Sequence, residues 1–93
     1  MSIQIIWDLE DDPDGNVQHI AEHDITIEEI EDVLLDRKST RVISHSSGMP
    51  LTFGYTAAGR HLAVVWEEVS DNPLTIRPIT AYEAPERRSR KKR

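Results

Sequence analysis

Asp24-Ile25-Thr26-Ile27-Glu28-Glu29-Ile30-Glu31-Asp32-Val33-Leu34-Leu35-Asp36 is the stretch on which the fold turns. Thr26 followed three residues later by Glu29 is a capping box, and Glu28 and Glu29 lie at the end of the helix dipole that favours negative charge. Ile27, Ile30, Val33 and Leu34 recur at helical spacing, which predicts a helix over 26–36 that packs Ile27, Ile30 and Leu34 on a core and turns its acidic face to water. Upstream, 3–7 is an apolar, β-branched run that reads as a short strand, closed by the acidic Pro- and Gly-containing turn 8–15, and 16–23 reads as a short helix. Downstream of residue 40 the period changes to alternation. The runs 40–45, 51–56, 60–69 and 74–81 are separated by Ser46-Ser47-Gly48, Ala57-Ala58-Gly59 and Ser70-Asp71-Asn72-Pro73, all turn compositions. Four strands and three tight turns predict an antiparallel meander, so the expected fold is α+β, two N-terminal helices packed on an antiparallel sheet.

A chain of 93 residues with 38% hydrophobic and 30% charged side chains suits one small domain, expected over 1–86, with a basic helix or tail at 87–93. There is no cysteine, which excludes disulfides, thiolate metal sites and cysteine nucleophiles. No apolar run approaches the roughly 18 residues of a membrane span, and no basic n-region or lipidation motif opens the chain, so a cytoplasmic protein without membrane contact is expected. Charge is divided sharply along the sequence. Residues 1–36 carry twelve acids and no Lys or Arg, whereas six of the eleven basic residues fall in 87–93. Residues 1–86 hold five basic against seventeen acidic side chains, a formal −12, which repels a polyanion and counts against generic nucleic-acid binding by the body.

His19-Ile20-Ala21-Glu22-His23 spells H-x-x-E-H, a spacing that on a helix puts two imidazoles on one face with a carboxylate beside them. A catalytic zinc takes three protein ligands, and His45 and His61 fall on separate strands with no spacing signal. One packed and one exposed histidine on an ordinary helix is the simpler account, and neither a metal nor a cofactor is expected. Arg60, at the start of the longest strand, is either a solvated hairpin residue or a fixed cation for a phosphate. Arg77 reads as a sheet-face residue whose head group reaches water, and Trp7 and Trp66 as core.

The order Trp7-Asp8, Asn16-Val17, His23-Asp24-Ile25-Thr26-Ile27-Glu28-Glu29, Leu51-Thr52-Phe53-Gly54-Tyr55, Gly59-Arg60-His61-Leu62-Ala63-Val64-Val65 and Ile76-Arg77-Pro78-Ile79-Thr80-Ala81 before a basic C-terminus resembles the BrnT-type toxins of bacterial type II toxin–antitoxin systems. The resemblance spans nearly the whole chain. It implies a RelE-like fold, a cognate antitoxin as partner, and metal-independent endoribonuclease activity in which the RNA 2′-hydroxyl attacks the adjacent phosphate. On the matching positions it assigns catalytic roles to His23, Arg60 and Arg77. Arg87, Arg88, Arg90 and Lys91 are the expected RNA-binding residues of the tail.

The chain departs from the family pattern where cations are expected. Glu22 stands before the motif histidine in place of lysine, Asp24 after it in place of glycine, and Tyr82 in place of the arginine after the last strand's Thr80-Ala81; three residues are inserted between Asn16 and His23. Losing one donor to a developing anion typically costs about 2 to 4 kcal/mol of transition-state stabilisation. The expected activity is therefore weakened, with Tyr82 left as a hydrogen-bond donor or acid. The alternative is a non-catalytic protein-interaction domain of the same fold.

Overall fold

The computed structural model describes residues 3–44 and 47–85. In chain order these form β1 (Gln4–Ile5), α1 (Asn16–Ala21), α2 (Ile27–Leu35), β2 (Thr40–Ile43), β3 (Pro50–Tyr55), β4 (His61–Asp71) and β5 (Leu74–Glu83). The fold is α+β, with one five-stranded sheet in the order β1-β5-β4-β3-β2. Strands β2 to β5 are the expected antiparallel meander. The sheet as a whole is mixed, which corrects the antiparallel expectation: β1 lies parallel to β5, pairing Gln4 with Thr75 and Ile5 with Ile76. A strand that is followed by two helices cannot return as a hairpin partner, and joins the far edge of the meander through a crossover instead.

β1 is also shorter than the 3–7 run predicts, and β5 supplies the reason. Ile6 N still donates to Ile76 O at 2.9 Å, but the next outward-facing positions on β5 include Pro78, which has no N–H to offer the ladder. Pro78 sits beside an irregularity on its other side as well, where the register with β4 shifts between Val65 and Trp66. Its free carbonyl is taken by the side chain of Asn16, whose Nδ2 donates to Pro78 O at 3.0 Å and to Ile6 O at 3.1 Å. Asn16 Oδ1 in turn accepts from Asp8 N at 2.9 Å. Asn16 is 2% exposed, so these bonds stand in for water completely.

α1 stops at Ala21, two residues short of the predicted end at 23. Asp24 takes a left-handed φ of 64°, and the bonds Ile25 N to Ile20 O (3.1 Å) and Asp24 N to Ala21 O (3.0 Å) close the helix in a Schellman-type turn. Ile20 and Ile25, the apolar pair that accompanies such a turn, are both buried. α2 begins where its capping box predicts: Thr26 Oγ1 accepts from Glu29 N and Glu29 Oε1 accepts from Thr26 N. Its buried residues are Ile30, Val33 and Leu34. Ile27 is only half-buried, because the stripe centred on Ile30, Val33 and Leu34 turns the first helical residue toward the rim, and Val33 takes the place expected of it.

Both helices cover one face of the sheet. Ile20, Ile25, Ile30, Val33 and Leu34 pack there against Leu62, Val64 and Trp66 of β4 and Ile76 and Ala81 of β5. α2 comes closest at Gly54 of β3, where a Cβ would collide with the Ser39 side chain and stand 3.1 Å from Val33 Cγ1. The other face carries Leu51, Ala63 and Ala84, with Phe53 and Val65 beside them, and no described helix lies on it. Among the described residues no helix is long and apolar enough to cross a membrane. The basic helix or tail expected at 87–93 lies outside the described residues.

Replacing Asn16 by Ala should cost roughly 2 to 4 kcal/mol, because it removes the partner of the buried Pro78 carbonyl and of the part-buried Ile6 carbonyl and Asp8 amide at once. Chemical denaturation measures this, and a loss below about 0.5 kcal/mol would show that the carboxamide does not hold the N-terminal segment to β5.

Candidate functional site

Arg60 is placed by the turn between β3 and β4. Thr56, buried under the turn, donates its N–H to Arg60 O at 2.8 Å and accepts from Arg60 N through Oγ1 at 3.0 Å; Gly59, at φ 91°, lets the chain reverse. Ala57 N donates to Asp32 Oδ2 of α2 at 2.9 Å, which pins the turn to the helix. The guanidinium then reaches across to the helices. Nη1 lies 2.9 Å from Glu29 Oε2, 3.0 Å from Glu29 Oε1 and 2.9 Å from Asp24 O, and Nε lies 3.5 Å from Glu83 Oε2. The hydrogen bond that Arg60 donates to Glu29, together with the negative charges of Glu29 and Glu83, raises the Arg60 pKa above its ordinary value; desolvation opposes the shift.

Arg60 thus touches the backbone carbonyl of Asp24, the residue that follows His23. The imidazole of His23 is exposed, just beyond the end of α1, and packs edge-on against His19 with ring centroids 5.5 Å apart. The H-x-x-E-H histidines are therefore neighbours, but among the described residues no group of three or more His, Asp or Glu side chains is arranged to hold a metal ion. Tyr82 is not part of this cluster. It pairs with Ala63, whose neighbours Leu62 and Val64 face the helices, so its exposed ring lies on the helix-free side of the sheet while the Arg60 guanidinium lies on the helix side.

Arg77 stands apart. It pairs with Glu67 across β4 and β5, six residues along β5 from Glu83, a separation of roughly 20 Å at strand geometry. Its Nη2 lies 2.6 Å from Asp8 Oδ2 and its Nη1 3.8 Å from Glu67 Oε2. Asp8 Oδ2 also accepts from Asn16 N at 2.8 Å, so the carboxylate caps the first residue of α1 from outside the helix. That backbone hydrogen bond, then the bond and charge of Arg77, hold the Asp8 carboxyl below its ordinary pKa of 3.8 against a smaller opposing effect of desolvation. Arg87, Arg88, Arg90 and Lys91 lie outside the described residues.

Glu29, Glu83 and Asp8, the partners of the two arginines, were not singled out by sequence reasoning. Glu29 carried a visible signal as the capping-box residue, but nothing in the spacing announces that the same carboxylate also receives a guanidinium from 31 residues away. A further cluster went unmarked on the helix-free face. His61 stacks near Phe53 (6.1 Å between ring centroids) and Tyr55 (4.7 Å), and its Nδ1 lies 3.1 Å from Pro85 O and 3.3 Å from Ala84 O. Two carbonyl neighbours place the proton on Nδ1. Comparison with protein-family models, with curated proteins and with solved structures gives no match.

Two outcomes test the local geometry. Asp24→Gly should stabilise the protein by roughly 0.5 to 1 kcal/mol, since glycine adopts the left-handed turn without the Cβ penalty; an unchanged denaturation midpoint would contradict that. Because the folded Asp8 pKa is depressed, its stabilising contribution is present above the unfolded value and is lost as pH falls through the lower, folded one. Asp8→Asn should therefore lower the melting temperature at pH 7 and have a shrinking effect as the pH is taken below about 4 toward 2. A deficit that stays constant over that range would show that the carboxylate charge is irrelevant.

Proposed function

We propose that this chain is a BrnT-like toxin component of a type II toxin–antitoxin system, RelE-like in fold, with a weakened, metal-independent endoribonuclease centre at His23 and Arg60. The observation that carries the proposal is the 2.9 Å bond from Arg60 Nη1 to Asp24 O, which joins the turn bearing His23 to the Gly59-Arg60 hairpin across 36 residues of sequence. The arrangement of two helices on one face of a sheet whose last four strands form a meander supports the fold relationship.

The chemistry asks for few groups. Attack of a 2′-hydroxyl on the adjacent phosphorus forms the cyclic phosphate and expels the 5′-oxygen; a base takes the hydroxyl proton, an acid protonates the leaving oxygen, and a cation stabilises the extra negative charge. His23, exposed beside the turn, is suited to the proton transfers and Arg60 to the charge. Arg77 and Tyr82 act at a distance from this pair, Arg77 as a further phosphate contact and Tyr82 as a hydrogen-bond donor to RNA crossing the sheet edge. The cognate antitoxin is the partner in this proposal.

A second proposal, a non-catalytic protein-interaction domain of the same fold, is favoured by a specific observation. Arg60 and Arg77 are each bonded to two carboxylates, so a phosphate must displace Glu29 or Asp8 before it meets a free cation. Glu29→Gln separates the two readings, because glutamine retains the capping box while withdrawing the charge from Arg60. For a toxin, RNA cleavage by the purified protein should rise severalfold in Glu29→Gln and vanish in Arg60→Ala, and expression without a partner should arrest growth. Intact RNA with both the parent and Glu29→Gln, together with unimpaired growth, would leave the interaction domain.

A further inference from the structure

Between the C-terminal half of α2 and the end of the sheet lies a half-open groove of about 560 Å³. Its floor is apolar: Trp66, Leu34 and Ile76 are each less than a tenth exposed. Trp66 is fixed from below by its Nε1 donating to Thr52 Oγ1 at 2.9 Å, and from above the Arg41 guanidinium carbon stands 5.1 Å from the ring centroid. Arg37 shares the mouth with Arg41. The volume lies in the range of ligand sites, and a tryptophan floor with arginines at the rim is the composition of binding hot spots.

The charge at this mouth is exceptional among the described residues. Five Lys or Arg residues precede residue 86, and the two elsewhere, Arg60 and Arg77, are held in ion pairs. Arg37, Lys38 and Arg41 have no carboxylate within ion-pair distance among the described residues, although residues 1–86 bear seventeen acids. Among the described residues, a concentration of uncommitted positive charge thus borders this apolar groove. Apolar surface also continues past the groove: Leu35 on its lip is 55% exposed, and Ile43, on the free edge strand β2 and on the same side as Arg41, is 58% exposed. A small molecule would leave these two residues wet, whereas a passing polypeptide covers them.

We propose that this groove is a docking site for an acidic segment of a partner protein, which seats an aromatic or large aliphatic side chain in the groove beside the Arg41-capped Trp66 and sets carboxylates against Arg37 and Arg41. The proposal goes beyond the ribonuclease reading and does not depend on it, since none of these residues touches Arg60, His23 or Arg77. The net charge of −12 on 1–86 repels acidic polypeptides over most of that body, so among the described residues this edge is where such a segment can approach, and its attraction is local and sensitive to salt.

The test is a titration of the full chain, as Trp7→Phe so that one indole N–H signal remains, with the blocked peptide acetyl-Glu-Asp-Leu-Phe-Asp-Glu-amide, followed by NMR. The Trp66 indole resonance should move saturably, Arg41→Glu should weaken binding about tenfold or more, and raising salt from 50 to 500 mM should weaken it severalfold. Circular dichroism establishes that the variant is folded, and if it is not, Arg37→Gln, at an exposed loop position, gives the same comparison with a smaller loss. A peptide with Ser-Ser in place of Leu-Phe should bind at least fivefold more weakly. The proposal is overturned if the Trp66 signal does not respond, if neither arginine variant changes the affinity, or if the Ser-Ser peptide binds equally well. Equal or tighter binding of phenylacetate would assign the groove to a small carboxylate, and a shift of the same resonance by a single-stranded RNA would assign it to nucleic acid; each also defeats the peptide proposal.

Discussion

One buried carboxamide holds the N-terminal third of this protein to its sheet. Asn16 fills all its hydrogen-bonding capacity but one lone pair with backbone groups from two segments, Ile6 and Asp8 on the chain leaving β1 and Pro78 on β5. At 2% exposure the carboxamide itself has no water as an alternative, so the geometry is set by the requirement that its donors and acceptor be satisfied by these backbone groups. The consequences spread outward. β1 ends where Pro78 withholds its donor, the chain turns at Asp8, and Asp8 can then cap α1 and bind Arg77 with the same oxygen. α1 starts at the residue that makes these bonds, and the orientation of Ile20 and Ile25 toward the core follows from where it starts.

Electrostatics divides the surface into two kinds of cation. Arg60 and Arg77 are surrounded by carboxylates that the fold brings to them, and each serves as a strut, Arg60 between α2, the α1 turn and β5, Arg77 between β5 and the Asp8 turn. Exposed ion pairs of this kind are worth at most about 1 kcal/mol each, so an incoming phosphate competes with a modest interaction but meets a negative field on arrival. Among the described residues Arg37 and Arg41 have no such partners. They border an apolar groove, where the protein offers positive charge and hydrophobic surface together.

The elements that were legible in the sequence share one property: their determinants are local. The capping box of Thr26 and Glu29, the period-2 runs after residue 40 and the turn compositions between them each act within a few residues, and the helix and four-strand meander follow. Which way a side chain faces is less local. Ile27 carries the right spacing but sits at the first helical position, where the stripe has rotated off the core; Tyr82 follows the right motif but points to the opposite face of the sheet from Arg60, a difference that a single residue of parity decides.

The sequence by itself determined that this is a small, acidic α+β domain with a capped acidic helix and an antiparallel meander, because periodicity, capping and turn chemistry are properties of neighbouring residues. It also marked Arg60 and His23 as candidates through motif order. Only the tertiary structure decided that β1 joins β5 in parallel, that a left-handed Asp24 presents its carbonyl to Arg60, and that Glu29 and Glu83 neutralise that arginine while Arg37 and Arg41 stay uncommitted. The physical reason is separation along the chain. These contacts bridge 23 to 71 residues, and whether a cation meets a carboxylate or water depends on which face of a strand or helix carries each partner, a geometry that no local pattern encodes.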